Sequence, residues 1–150
     1  MMLAITSLTA AQEMYPKGCS PWVIQTPEVA LSSQQPTVMM LHNVSETDLW
    51  ITQVLKDNPG VHAGFPSLLQ AGKWSALTLD KPTEGFTIRC IESKPGHEQP
   101  VPCVDVLAVC QWLKTKLPES ATGAFWAGEN MDFNPLKAYI ERRGFILEIE

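Results

Sequence analysis

The chain is predicted to fold as a mainly β, single-domain antiparallel β-sandwich with one or two short helices, stapled by disulfides. Proline carries the first part of that reading: there are 12 in 150 residues, above the usual share of about 5%. The longest proline-free interval runs from Thr37 to Asn58. Interior proline removes a backbone donor and clashes with the preceding turn, which excludes a long helical bundle or coiled coil. The second observation is a succession of short strand-forming runs separated by proline and glycine turns. They lack the intervening helices of ten or more residues (about three turns) that a parallel sheet requires. The third is the even cysteine set Cys19, Cys90, Cys103 and Cys110, which in an exported chain suggests two disulfides.

Residues 1–12 carry no charge and read as a signal-peptide remnant, with Thr9-Ala10-Ala11 resembling a signal-peptidase site. No Lys or Arg precedes Lys17, so the basic segment of a whole signal peptide is missing. The competing reading is an N-terminal strand or helix packed on the domain. Residues 13–36 form an extended, proline-rich arm with extended pieces at Trp22–Gln25 and Glu28–Leu31, within one domain covering 13–150.

Beyond the arm, Val38–Leu41, the polar Asn43–Asp48 and Leu49–Val54, with Trp50, Thr52 and Val54 on one face, predict a hairpin. Residues 56–66 hold Asp57-Asn58-Pro59-Gly60 and Gly64-Phe65-Pro66, turn formers that predict a long loop. Lys73–Asp80 and Phe86–Glu92 read as strands. Val101–Trp112 is apolar on both faces apart from Asp105 and Gln111, the mark of a central strand. A helix over Val104–Leu113 competes, but its valines and Pro100-Val101-Pro102 disfavour a helix start. Near the C terminus a helix is predicted with Asn134 as cap, Pro135 in first position, Gly144 after its end, and Leu136, Tyr139 and Ile140 on one face. Leu147 and Ile149 would add an edge strand.

Sequence allows three cysteine pairings. Cys90 and Cys103 are equidistant from Gly96-His97, so a two-residue turn there would set them opposite each other and leave Cys19 to Cys110. The rival joins Cys103 to Cys110 and Cys19 to Cys90. Four reduced, buried thiols in a cytosolic protein are a further alternative.

Chemistry is mostly excluded. The net charge is -5, and no basic cluster exceeds Arg142-Arg143, so there is no stripe to neutralise phosphates of nucleic acid or an anionic membrane. No run approaches the roughly 18–20 apolar residues of a membrane span. Cysteine spacing does not suit structural zinc. For copper, His42, His62, His97 and the methionines are available, and Met40 and His42 share a strand face. Yet no histidine follows His97 to complete a Cys-His cluster. Gly18-Cys19-Ser20-Pro21-Trp22 superficially resembles the start of a papain-like nucleophile segment. Pro21 stands where the helix should begin, and no suitable His and Asn pair lies downstream. Phosphate loops, nucleophile elbows and His-Glu-x-x-His are absent, and no carboxylate pair stands out for glycoside hydrolysis.

No catalytic residue, metal ligand or cofactor is therefore assigned. Of the tryptophans, Trp22, Trp74 and Trp112 read as core. Trp50, beside an acidic turn, and Trp126 with Phe125, in a glycine-flanked segment, read as an interaction surface. The expectation is an exported, periplasmic or secreted, non-catalytic binding or assembly module that contacts a protein partner. The alternative is a small-ligand binder for carbohydrate or copper.

Overall fold

The computed structural model describes residues 15–54, 66–79, 86–112, 114–119 and 126–148. The elements in chain order are β1 (Cys19–Pro21), β2 (Val29–Leu31), β3 (Thr37–Asn43), β4 (Leu49–Val54), β5 (Pro66–Leu69), β6 (Trp74–Leu79) and β7 (Phe86–Glu92). They continue with β8 (Pro100–Val101), α1 (Cys103–Val106), β9 (Leu107–Trp112), β10 (Lys114–Lys116), β11 (Trp126–Met131), α2 (Phe133–Arg142) and β12 (Ile146–Glu148). A central sheet has the order β1-β9-β3-β6-β11, and an outer sheet the order β2-β7-β4-β5, with β8 lying beside β2 on the edge of β7. Strands β10 and β12 make a small separate pair. The ladders are antiparallel.

The central sheet is apolar on both faces because both are covered. Met39 and Leu41 of β3, Leu77 and Leu79 of β6, and Leu107 and Val109 of β9 meet Leu31, Leu49, Ile51 and Ile88 of the outer sheet in one core. The alternate residues Val38, Met40, Trp74, Ala76 and Trp112 point the other way, onto Leu136 and Ile140 of α2 and onto Phe145 and Leu147. The molecule is thus a two-sheet sandwich with a helix on one side, a mainly β fold with two short helices among the described residues. Each fully buried aliphatic side chain contributes roughly 1.5–3 kcal/mol relative to exposure, so this doubled burial makes the central sheet the main source of stability.

Proline obeys the sheet's geometry. Pro21, Pro66 and Pro100 all lie inside strands, and β1, β5 and β8 are all edge strands. A residue with no N–H cannot serve an inner ladder, and on an edge it discourages pairing with another chain.

Four expectations need correction. The β3–β4 hairpin does not form: β3 pairs with β6 and β9 in the central sheet, while β4 pairs with β5 and β7 in the outer one. The buried Asn43 side chain turns the polar connection into a crossover. Its Nδ2 donates to the carbonyls of Thr47 at 2.8 Å and Leu69 at 2.9 Å, and its Oδ1 accepts from the Ser45 N–H at 3.0 Å. The turn after β7 is centred on Pro95-Gly96, with Gly96 at φ 77 and the His97 N–H donating to the Lys94 carbonyl, which is the geometry proline and glycine together favour. Cys90 therefore faces Val101, and Cys103 lies beyond the ladder at the start of α1. Within 101–112, α1 supplies one helical turn before the strand β9, which begins only at Leu107. Helix α2 starts from Asp132, not Asn134; Pro135 falls in the first turn, where its missing N–H would be unpaired anyway. Of the loop predicted over 56–66, Pro66 instead opens β5, and residues 56–65, the leader-like residues 1–12 and Ile149 lie outside the described residues.

The C-terminal end of α2 follows the expected glycine stop. Gly144 has φ 100, its N–H donates to the Glu141 carbonyl, and the Phe145 N–H donates to the Ile140 carbonyl, with Phe145 packed beside Ile140.

Two disulfides join Cys19 to Cys110 and Cys90 to Cys103, the pairing favoured above, although for Cys103 the route is the turn of α1 instead of a facing strand. The first ties the edge strand β1 to β9 across 91 residues of sequence, and the second ties β7 to α1 across 13. The arm closes one side of the sandwich. Trp22 and Ile24 pack against the inter-sheet core, the Trp22 N–H donates to the Val109 carbonyl of the central sheet, and its indole donates to the Ala30 carbonyl of the outer sheet. The opposite side is closed by β11 against β5, where Ser67 Oγ donates to Glu129 at 2.6 Å and the Asn130 side-chain amide accepts from the Gln70 N–H at 2.8 Å and donates to the Gln70 side-chain oxygen at 3.1 Å. Asn130 adopts φ 54 within the irregular β11 ladder, a conformation asparagine tolerates better than most residues.

Two stability outcomes follow from this packing. A Cβ at Gly128 would lie 2.5 Å from Leu136 Cδ1, so Gly128→Ala is expected to cost about 1–3 kcal/mol by overpacking, read from the midpoint of urea unfolding. Replacing Cys19 and Cys110 together by Ala should destabilise more than the same change at Cys90 and Cys103, about 4–5 against about 3 kcal/mol, because the longer crosslink restrains more of the unfolded chain. Equal losses in denaturant titrations would contradict that ordering.

Candidate functional surface

The outer sheet is the layer whose second face belongs to neither core. Strand alternation places Leu49 and Ile51 of β4 inward and turns Trp50 and Thr52 outward. Register then builds a row that sequence spacing alone does not reveal. Trp50 stands opposite Leu68 of β5 on one side and Ile91 of β7 on the other, and Ile91 stands opposite Pro100 of β8. Trp50, Leu68 and Ile91 are all half-buried, forming an apolar band across four strands.

The next row places Thr52 between Pro66 and Arg89. Thr52 Oγ1 is buried and has no hydrogen-bond partner among the described residues. Arg89 bonds Glu28 through both Nε at 2.8 Å and an Nη at 2.7 Å. Both contacts reach the same carboxylate oxygen, Oε2, and tie the guanidinium to Glu28 across the β2–β7 ladder. Both groups are part-exposed, so the pair adds little net stability; its effect is to fix the Arg89 side chain as one wall of a groove. That groove, about 770 Å³ in volume, lies where β2 and β8 meet along β7, between Pro27, Ala30, Pro100, Val101 and Pro102.

The residues assigned to interaction from sequence separate in space. Trp50 lies at the centre of the band just described. Trp126, on β11 at the edge of the central sheet, is half-buried and packs against the inter-sheet core. Phe125 is outside the described residues. The four cysteines are buried structural crosslinks. Arg89, Glu28 and the three groove prolines went unassigned. The prolines were visible as turn markers, but only the pairing of β2 and β8 with β7 makes them one wall.

The copper candidates do not converge either. Met40 and His42 do share a face, but Met40 is sealed under α2, and His42 stacks on Trp74 with ring centroids 4.0 Å apart. His97 lies in the β7–β8 turn of the other sheet, and His62 is outside the described residues. Among the described residues, no group of three or more His, Cys, Asp or Glu side chains could hold a metal ion, and no helix is long and apolar enough to cross a membrane. Comparison with known protein families, characterised proteins and solved structures finds no match to this chain.

Burial pushes the His42 pKa below 6.5, against the smaller opposing effect of a hydrogen bond with the Gly72 backbone. The unfolded chain thus binds the proton more readily, and the stability His42 contributes is present above pH 6.5 and lost as pH falls through the folded value. His42→Phe keeps an aromatic stack on Trp74 and removes this proton. Between pH 7 and pH 5, wild type should lose stability relative to the variant; parallel unfolding midpoints would show the burial has no such effect.

Proposed function

We propose that the protein is an exported, non-catalytic binding or assembly module of the periplasm or extracellular space, which engages a protein partner through the outer face of its outer sheet. The observation that carries this reading is the band of Leu68, Trp50, Ile91 and Pro100 beside the walled groove. Large aromatic side chains with neighbouring aliphatic ones are the usual energetic centres of protein interfaces. The edges support the same choice, since strand prolines and the Trp22 arm leave little backbone for pairing with another chain. Two buried disulfides support export, because such bonds persist in oxidising compartments.

Trp50→Ala should leave the fold intact and reduce partner recovery from envelope or secreted extract at least tenfold, as expected for an interface centre. Unchanged recovery, with the variant's folding verified by near-UV circular dichroism, would remove this face from the reading. Mass measurement with and without reductant tests the compartment half: two disulfides taken up by the native protein add about 4 Da on reduction, and no gain would argue against export.

A further inference from the structure

One end of the sandwich gathers carboxylates from three connections, and the groove opens beside it. Hydrogen bonds gather the pieces of this end. The Ser93 N–H donates to the Asp48 carbonyl, joining the β3–β4 crossover to the β7–β8 turn, and the Val44 N–H donates to the Val106 carbonyl, joining that crossover to α1. The Asp105 N–H donates to the Pro102 carbonyl, which brings Asp105 to the groove wall. Glu98 lies in the β7–β8 turn, two residues before Pro100 of β8.

The lysines at this end are already neutralised, Lys73 by Asp132 at 2.9 Å and Lys94 by Glu92 at 3.4 Å. Arg89 is likewise taken by Glu28. Among the described residues Glu46, Asp48, Glu98 and Asp105 have no basic partner, so four carboxylates at this end stand without counter-charges. Apolar surface accompanies the charge: Val44 is 41% and Val104 51% exposed, and the groove itself is walled by three prolines and Val101.

We infer that this end and its groove receive an extended, cationic polypeptide segment, one apolar side chain of which seats between Pro27, Pro100 and Pro102 while its Lys or Arg residues face Glu98 and Asp105. The inference rests on the protein-binding reading above and adds the chemistry of the partner. Carboxylates without counter-charges favour a cationic partner and repel anionic ones, raising its encounter rate. The ion-paired Arg89 and Glu28 present no net charge to oppose it. A polypeptide fits better than a compact cation because the apolar groove and exposed valines need apolar side chains to cover them.

Fluorescence anisotropy with a labelled peptide of alternating Lys and Val, about ten residues and so roughly 33 Å when extended, tests this on the intact protein. Matched Ser/Val and Glu/Val peptides serve as comparisons. The Lys peptide should bind at least tenfold more tightly than the Ser peptide, and the Glu peptide more weakly still. Raising salt from about 0.02 M to about 0.3 M should weaken the Lys peptide. The pair Glu98→Lys and Asp105→Lys should cost at least tenfold. Ala30→Trp, which fills the groove from an exposed position, should cost as much without touching a charge. Equal binding of the three peptides, or full affinity in both variants while each keeps the wild-type near-UV spectrum, overturns the inference. If native partner recovery depends on Trp50 while the Lys peptide does not bind, the inference fails and the protein-binding reading stands. If Trp50→Ala also leaves recovery unchanged, both fail.

Discussion

Covering the central sheet on both faces is the constraint on which the rest of this structure depends. A strand covered on two sides leaves no position to solvent, as in β6 from Trp74 to Leu79, where even the polar Ser75 and Thr78 are buried. Such strands cannot present function to solvent. They act as the slab against which the outer sheet and α2 pack, and close packing there leaves no room for adjustment: Gly128 is glycine because Leu136 of α2 occupies the space a Cβ would need.

Because the slab is closed, solvent-facing chemistry falls to what surrounds it, the outer sheet, the exposed side of α2 and the ends of the sandwich. The sides are closed by different means. On one, the arm crosses from sheet to sheet with Trp22 and Ile24 inward and Val23 outward. On the other, Ser67, Glu129, Asn130 and Gln70 bridge β5 and β11 with polar bonds. The Cys19–Cys110 bond holds the start of the arm to an inner strand, so the crossing segment is anchored at its origin as well as by the Trp22 indole. The outer face and the acidic end are among the surfaces this arrangement leaves available.

The candidate surface was only partly legible beforehand. Trp50 could be recognised, since an aromatic residue in a strand beside an acidic turn is poorly placed for a core. Its neighbours could not. Leu68 and Ile91 become adjacent to it through ladder register, and register depends on which strands share a sheet. Arg89 and Glu28 are 61 residues apart and carry no local signal of pairing. The acidic end is equally hidden, because its carboxylates come from three separate connections.

What the sequence determined by itself is local and steric. Proline spacing ruled out long helices and punctuated the strand-forming runs, Gly144 stopped α2, and the balance of short strand-forming runs set a mainly β fold. What the tertiary structure alone decided is which strands are neighbours. Val38–Leu41 and Leu49–Val54 have the pattern of a hairpin, and their period-two alternation is equally satisfied when they lie in different layers. The choice was made by Asn43, whose amide binds carbonyls of Thr47 and of the distant Leu69, and by the larger burial available when β3 sits between β6 and β9. Energies of that kind come from contacts remote in sequence, so they exist only once the chain has folded.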